Sequence, residues 1–269
     1  MNNICKPKIT AKPFFSIVTC TKNSEKFLQE NIDSVRGQTM TDYEHIFIDG
    51  FSTDNTLKII KDYQVKNKSR VRLYKSPPKG ISNAFNKGVL KGKGHWIVFL
   101  NSDDRLYDRR VLSTVYSYLS KNSRIKLVWG KSVNLTESAT GKSERIIPGR
   151  KIFQKLGFWR MLLFNDYIPH QSVYMNRELF LKYGIFNERL DIAMDYEMWL
   201  RLSKGNVSNG FIDRKLSVYR YRKLSDKRLY EVLNEYNKVF NLHIKNPFTR
   251  LMLIKFDAFK LNLQKLLVR

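Results

Sequence analysis

Residues 96–104 read Trp-Ile-Val-Phe-Leu-Asn-Ser-Asp-Asp (WIVFLNSDD). Trp96 to Leu100 are apolar without a break, the length and composition of a strand buried on both faces. The run ends in Asn101-Ser102-Asp103-Asp104, which puts polar and acidic groups at its carboxyl end. Upstream, Phe14 to Thr19, His45 to Asp49 and Val71 to Tyr74 are further short apolar runs. Between them lie helix-spaced segments. Ser24 to Gln38 carries Phe27, Leu28, Ile32 and Val35, and Asn55 to Val65 carries Leu57, Ile59, Ile60 and Tyr63. Ile81 to Val89 reads as a third helix, and Ser52, Thr53 and Asp54 are N-cap candidates for the second.

Strands alternating with helices predict an α/β fold with a mostly parallel, doubly wound sheet. Ligands of such sheets sit beyond the carboxyl ends of the strands. Three of those ends carry polar residues here: Thr19 to Asn23, Asp49, and Asp103-Asp104. They point to one shared cleft.

Downstream the pattern loosens. Lys131 to Arg150 is polar and reads as a hairpin or a mobile loop over the cleft. Ile152 to Phe164 reads as a short helix, His170 to Met175 as a strand, and Arg177 to Tyr183 and Asp195 to Ser203 as helices. Leu229 to Arg269 is helical in pattern and contains no Gly. The expected organisation is a catalytic domain over 1–225 and a helical, basic extension over 226–269.

The chain has 269 residues, 42% of them hydrophobic, which excludes a mainly disordered protein. Its two cysteines, Cys5 and Cys20, support neither a disulfide framework nor a cysteine zinc site. No secretory leader and no membrane-spanning run is visible. Lys+Arg 49 against Asp+Glu 24 gives +25. From Arg214 onward, 14 basic and 4 acidic residues give 14 − 4 = +10. Such charge favours polyanions: nucleic acid, anionic lipid or phosphate-bearing small molecules. No zinc-finger, RNP or KH signature accompanies it, so nucleic acid remains only the rival partner from another class.

Asp103-Asp104 is the strongest local signal for chemistry. Oxygen ligands with open positions suit Mg²⁺ or Mn²⁺ bridging to substrate phosphates, although Asp is also favoured at a solvated helix N-terminus. Asp49 is placed to accept from a nucleotide's ring N–H or ribose hydroxyl, while Asp54 reads as a cap. Lys79-Gly80 before a helix can meet a diphosphate. Asp195 begins a helix on which Met198, Trp199 and Leu202 share its stripe. It is either a cap or a general base. No nucleophile triad, Walker A or GxGxxG motif occurs.

In order, SIVTCTKN (16–23), SVRGQT (34–39), HIFIDGFSTDNTLKII (45–60), KGISNAFNKG (79–88), GKGHWIVFLNSDD (92–104), HQSVYMNRELFLKYGIFNERL (170–190) and AMDYEMWLRL (193–202) resemble the family 2 glycosyltransferases of GT-A fold. The resemblance runs from about 14 to about 225. It implies that Thr19, Thr21 and Asp49 line the base and ribose, that Lys79 meets the diphosphate, and that Asp103 is the main metal ligand with Asp104 beside it. Asp195 would be the base of an inverting transfer from a UDP-sugar. His170, Trp199 and Arg201 are the candidates for acceptor contact, with a satisfied structural histidine the other reading of His170. Lys22 stands where that family usually has an aromatic residue.

In Arg250 to Arg269, Met252, Phe256, Phe259, Leu263 and Leu266 share one helical stripe, with Lys255, Lys260, Lys265 and Arg269 off its centre. A basic amphipathic helix can lie in an anionic membrane interface; the other reading is a terminal helix docked on its own domain. The resemblance then implies a polyprenyl-diphosphate-linked glycan acceptor in O-antigen or capsule synthesis. The enzyme would be cytoplasmic and peripheral at the inner face of the membrane. Transfer to a protein or a soluble glycan is the alternative.

Overall fold

The computed structural model describes residues 12–138, 141–147, 168–221 and 226–267. Among the described residues, nine strands form one sheet: β1 Phe15–Thr21, β2 Tyr43–Asp49, β3 Val71–Lys75, β4 Trp96–Phe99, β5 Arg105–Leu106, β6 Leu127–Ser138, β7 Gly141–Ile147, β8 Val173–Asn176 and β9 Asn209–Tyr221. The helices are α1 Glu25–Arg36, α2 Thr56–Lys66, α3 Ile81–Lys91, α4 Val111–Lys121, α5 Arg177–Tyr183, α6 Met194–Lys204, α7 Asp226–His243 and α8 Pro247–Leu267. The strand order is β3-β2-β1-β4-β8-β6-β9-β5, with β7 pairing β6.

The first four strands are parallel, as the alternation requires, so their carboxyl ends share one edge. Thr21 lies opposite Asp49, and Asp49 opposite Lys75. From β8 onward the sheet is mixed. β8 runs antiparallel to β4 and β6, β7 runs antiparallel to β6, and β9 pairs parallel with β6 but antiparallel with β5.

Side-chain alternation along the parallel strands divides the core between the two faces of the sheet. Val18, Ile46, Ile48, Ile97 and Phe99 face α3, α5, α6 and α7. Ile17, Val98 and Leu100 face the other way with Val115 of α4, and Phe47 packs on α1 and α2 through Leu28, Ile32 and Ile60. Helix α3 approaches the sheet closely: a Cβ at Gly88 would collide with the Val18 side chain. Its N-terminus follows Gly80, whose φ of +89° lies in the region that favours glycine.

The segment 131–150 contains the hairpin reading rather than the loop reading, since β6 and β7 pair from Ser132–Ile147 to Ser138–Gly141. The expected helix at 152–164 falls outside the described residues, as do Arg222 to Ser225. The expected strand at His170 starts as a 3₁₀ turn, His170–Ser172, before β8. The helical tail is made of two helices, α7 and α8. Pro247 cannot continue α7 but suits the first turn of α8, and Asn246 Oδ1 accepts from Thr249 N at 3.0 Å.

Helix α7 begins the expected extension, yet Val239 and Phe240 are buried in the same core as the sheet. Helix α8 docks Leu253 and Ile254 on that core and leaves Phe248, Leu251, Met252, Phe256 and Phe259 exposed. The side chains of Leu263 and Leu266 lie outside the description. No helix among the described residues is long and apolar enough to cross a membrane.

Candidate active site

The shelf at the carboxyl edge is built from hydrogen bonds between strand ends. Thr19 is fully buried; its Oγ1 donates to Leu100 O at 2.8 Å and meets His45 Nε2 at 3.0 Å. It ties β1, β2 and β4 together. The expectation that Thr19 lines the nucleotide is therefore corrected, because its hydroxyl is spent inside the sheet. Burial lowers the His45 pKa to about 3, so that ring is neutral.

Thr21 and Asp49 meet at the strand ends, but Asp49 is fully buried and both its oxygens are engaged, so it pins the loops instead of accepting from a nucleotide as the sequence led us to expect. Asp49 Oδ1 accepts from Thr21 Oγ1 at 2.9 Å and Ser52 Oγ at 2.6 Å, and Oδ2 accepts from Ser52 N at 2.9 Å. The next loops are zipped by Asn23 N to Ser52 Oγ at 2.9 Å and Thr53 N to Asn23 Oδ1 at 2.9 Å. Asn23 and Phe51 pay for the tight geometry with left-handed backbones, φ +49° and +59°. Lys79 is exposed at the loop before α3. The Gly80 that follows it lies against the Asp191 carboxylate, and its φ of +89° is what reserves the position for glycine. Asp54 accepts from Thr56 N at 3.0 Å, but it lies one residue before the N-cap of α2, which is Asn55.

The segment after β4 is braced from beneath by Asn31, whose Nδ2 donates to Asn101 O at 2.8 Å and Asp104 O at 3.0 Å. Asp103 is partly exposed, whereas Asp104 is 1% exposed. Asp104 Oδ2 accepts from Gln171 Nε2 at 2.8 Å and Oδ1 from Arg220 N at 3.3 Å. Burial, and after it the charge of Asp103, pushes Asp104 up to about 7. The expectation that Asp104 ligates the metal beside Asp103 is corrected: its carboxylate turns inward and bonds β9 and the 170–172 turn.

His170 is the link that brings the two ends of the site together. Asn101 Nδ2 lies 3.1 Å from His170 Nε2, and His170 Nδ1 lies 3.3 Å from Asp195 Oδ2. With the amide donating to Nε2, the ring proton sits on Nδ1 and points at Asp195. Asp195 Oδ1 accepts from Tyr196 N at 2.7 Å. Asp195 is 7% exposed, at the first turn of α6.

The other acceptor candidates are corrected too. Both nitrogens of His170 are engaged. Trp199, one turn below Asp195, is 2% exposed in the core. Arg201 donates to Glu197 Oε2 at 2.7 Å, Tyr183 O at 2.6 Å and Ile185 O at 3.0 Å, a structural assignment. Burial works against the Glu197 charge, but hydrogen bonds from His243 and Arg201 outweigh it and hold the carboxyl below its ordinary value.

Among the described residues, no group of three or more His, Cys, Asp or Glu encloses a metal. A divalent ion that keeps waters and binds substrate phosphates needs no such cage. The donors at this turn fit one: Asp103 is a carboxylate, Asn101 Oδ1 is a buried oxygen with no hydrogen-bond partner among the described residues, and no sulfur competes.

Four supporting residues escape a reading of the sequence: Asn31, Gln171, Glu235 and His243. Asn31 alone carries a signal, as a polar residue inside the apolar stripe of Leu28, Ile32 and Val35.

Residues 16–183 match the family described as Glycosyl transferase family 2. A Mycobacterium bovis protein named PGL/p-HBAD biosynthesis glycosyltransferase is 30% identical over 195 residues, 71% of this chain and 70% of that protein. Hyaluronan synthase of Pasteurella multocida is 32% identical over 197 residues, 73% of this chain and 19% of that enzyme. Among solved structures, S. aureus TarS 1-349 in complex with UDP-GlcNAc superposes with a TM-score of 0.67 at 18% identity, covering 91% of this chain and 70% of that one. The mannosyltransferase PcManGT from Pyrobaculum calidifontis, in complex with GDP-Man and Mn²⁺, gives 0.65 at 15% identity, covering 93% and 70%.

Proposed function

The chain belongs to glycosyl transferase family 2, and from that premise we propose that it inverts an anomeric centre, moving a hexose from a UDP-sugar to a hydroxyl of a lipid-linked glycan. As a member of that family it is a glycosyltransferase of GT-A fold that uses a nucleotide sugar. The observation that carries the finer reading is the hydrogen-bonded row Asn101–His170–Asp195. It sets the carboxylate of α6 at a fixed distance from the Asn101–Asp103 turn. A base for the acceptor and a site for the leaving group are thereby held at one mouth of the sheet.

The donor's base and ribose are assigned to the loops pinned by Thr21 and Asp49, and its diphosphate to Lys79 and the turn of Asp103. Mn²⁺ or Mg²⁺ held by Asp103 would neutralise charge on the leaving diphosphate. Asp195 accepts the proton of the attacking hydroxyl as the acceptor oxygen bonds to the anomeric carbon and the bond from that carbon to the diphosphate breaks. His170 orients the Asp195 carboxylate through Nδ1–H. One displacement needs no protein nucleophile.

The lipid-linked acceptor is supported by charge and by α8. Its exposed Phe248, Met252, Phe256 and Phe259 recur at helical spacing beside Arg250 and Lys255. A net charge of +25 adds attraction to anionic lipid. Assembly of an O-antigen or capsule unit at the inner membrane face is the setting that fits this chemistry.

Calorimetric titration with UDP, in Mn²⁺ and then in EDTA, tests the reading. Metal-dependent binding that disappears in Asp103→Ala is expected. Binding that is indifferent to EDTA, or unaltered by Asp103→Ala, would overturn the metal assignment.

A further inference from the structure

Three consecutive backbone N–H groups lead into the helix that carries Asp195, and one side chain from the far end of the chain satisfies all of them. Glu235 Oε1 accepts from Asp191 N at 3.0 Å, and Oε2 accepts from Ile192 N and Ala193 N, both at 2.8 Å. Ala193 is the N-cap of α6, and no side chain of its own turn caps that end. Left alone, donors pointing out of a helix start are unsatisfied and attract an anion. Here the anion is a carboxylate delivered by α7.

The same helix grips α6 further along. Tyr236 and Phe240 lie against the ring of Tyr196, with centroids 5.2 Å and 6.1 Å away. His243 Nε2 meets Glu197 Oε1 at 2.9 Å. Residues 235, 236, 239, 240 and 243 form one stripe of α7, so the grip is a designed face of that helix. The clamped loop also touches the donor side: Asp191 seats against Gly80, and Ser82 Oγ bonds Leu190 O. The loop between these contacts ends two residues before Asp195.

We propose that Glu235 is a positioning residue for the transfer: its carboxylate fixes backbone 191–193 and so sets where the Asp195 carboxylate stands against the donor. The inference rests on Asp195 being the base. Glu235 itself touches no substrate. Its removal leaves the pinned Thr21–Asp49 shelf and the Asp103 turn in place, so donor affinity is preserved while turnover falls. It also leaves an empty cluster of three N–H donors that a small carboxylate can refill.

The test uses the full chain with Glu235→Ala, and with Glu235→Gln should the alanine variant fold poorly. Amide hydrogen exchange across 188–197, UDP affinity, and UDP release from UDP-N-acetylglucosamine, UDP-glucose and UDP-galactose with water as acceptor are measured, each with and without excess formate. Exchange at 191–193 should quicken about tenfold, the scale of a lost helix cap. The rate constant for UDP release should fall by about the same factor with KM unchanged, and formate should restore both in the variant but not in the parent protein. Unchanged exchange, a loss shared equally by KM, or no rescue by formate would overturn the proposal. Where none of the three donors is turned over, exchange and its rescue decide alone. Asp195→Asn run in parallel separates the failures. Full UDP release by that variant removes the base assignment, while the exchange result still reports whether Glu235 holds the loop.

Discussion

The parallel half of the sheet and the mixed half hold their polar residues in different ways. In the first, Thr19, Thr21, His45, Asp49 and Ser52 bond to one another or to adjacent strand ends, within residues 19–100. In the second, Asp195 depends on His170, His170 on Asn101, and the loop before Asp195 on Glu235. Four separate stretches of chain meet there. On the proposed reading, a donor shelf that completes itself locally should tolerate change elsewhere, and a base assembled from distant segments should not. The proposed roles therefore predict that donor binding and turnover separate on mutation.

The sharpest break between the halves is Asp195→Asn. Turnover should fall about 10³-fold, the range of a lost general base, with UDP affinity nearly intact by calorimetry. A matching loss of affinity would erase the separation. Next in size is Asp49→Ala, which strands the Thr21 and Ser52 hydroxyls and the Ser52 N–H in a fully buried place. A loss of about 3 kcal/mol in urea unfolding is expected, because buried groups without partners cost about 1–3 kcal/mol each but relax in part. A loss under about 1 kcal/mol would show that the shelf is not self-bracing.

His45 offers a smaller effect with a definite sign. Above pH 6.5 the imidazole is neutral in the folded and the unfolded chain. As pH falls from 6.5 toward about 3, the unfolded chain takes up a proton that the buried ring refuses, so stability is lost through that window. Between pH 6.5 and 5 the loss should reach about 2 kcal/mol, and His45→Phe should remove that slope in urea titrations. The smallest effect on folding belongs to α8. Deleting 247–269 removes the half-buried contacts of Leu253 and Ile254 and should cost about 1 kcal/mol in urea unfolding, while association with phosphatidylserine vesicles drops about tenfold or more. Aggregation of the shortened chain would mean that Leu253 and Ile254 anchor α8 as part of the core.

The order of strands and helices through Asp104 is legible because each element announces itself over a few adjacent residues. Helix α4 also has readable spacing, in Val111, Leu112, Val115 and Leu119, but it yields no polar signal and escapes a search for function. β5 has two residues, and β9, with Asp213, Arg214 and Lys215 inside it, is a strand because β6 and β5 flank it. The carboxylates were legible as a set but not by role. Nothing local distinguishes Asp103 from Asp104; Gln171 and the Arg220 N–H, 67 and 116 residues away, turn the second one inward. Trp199 and Arg201 sit near Asp195 in sequence, but a helix points neighbours in different directions, and theirs lead to the core and to the 183–185 carbonyls.

Gly88 makes α3 a lever. The helix rests on β1 where Gly88 meets Val18, and its other end, eight residues and about 12 Å away, carries Gly80 to the cleft. Any side chain at 88 raises the helix at that fulcrum and tilts the tip that Lys79 adjoins. A methyl group added between helix and sheet would thus register as a fault in nucleotide capture, and a screen for impaired donor use would recover it alongside residues of the mouth itself.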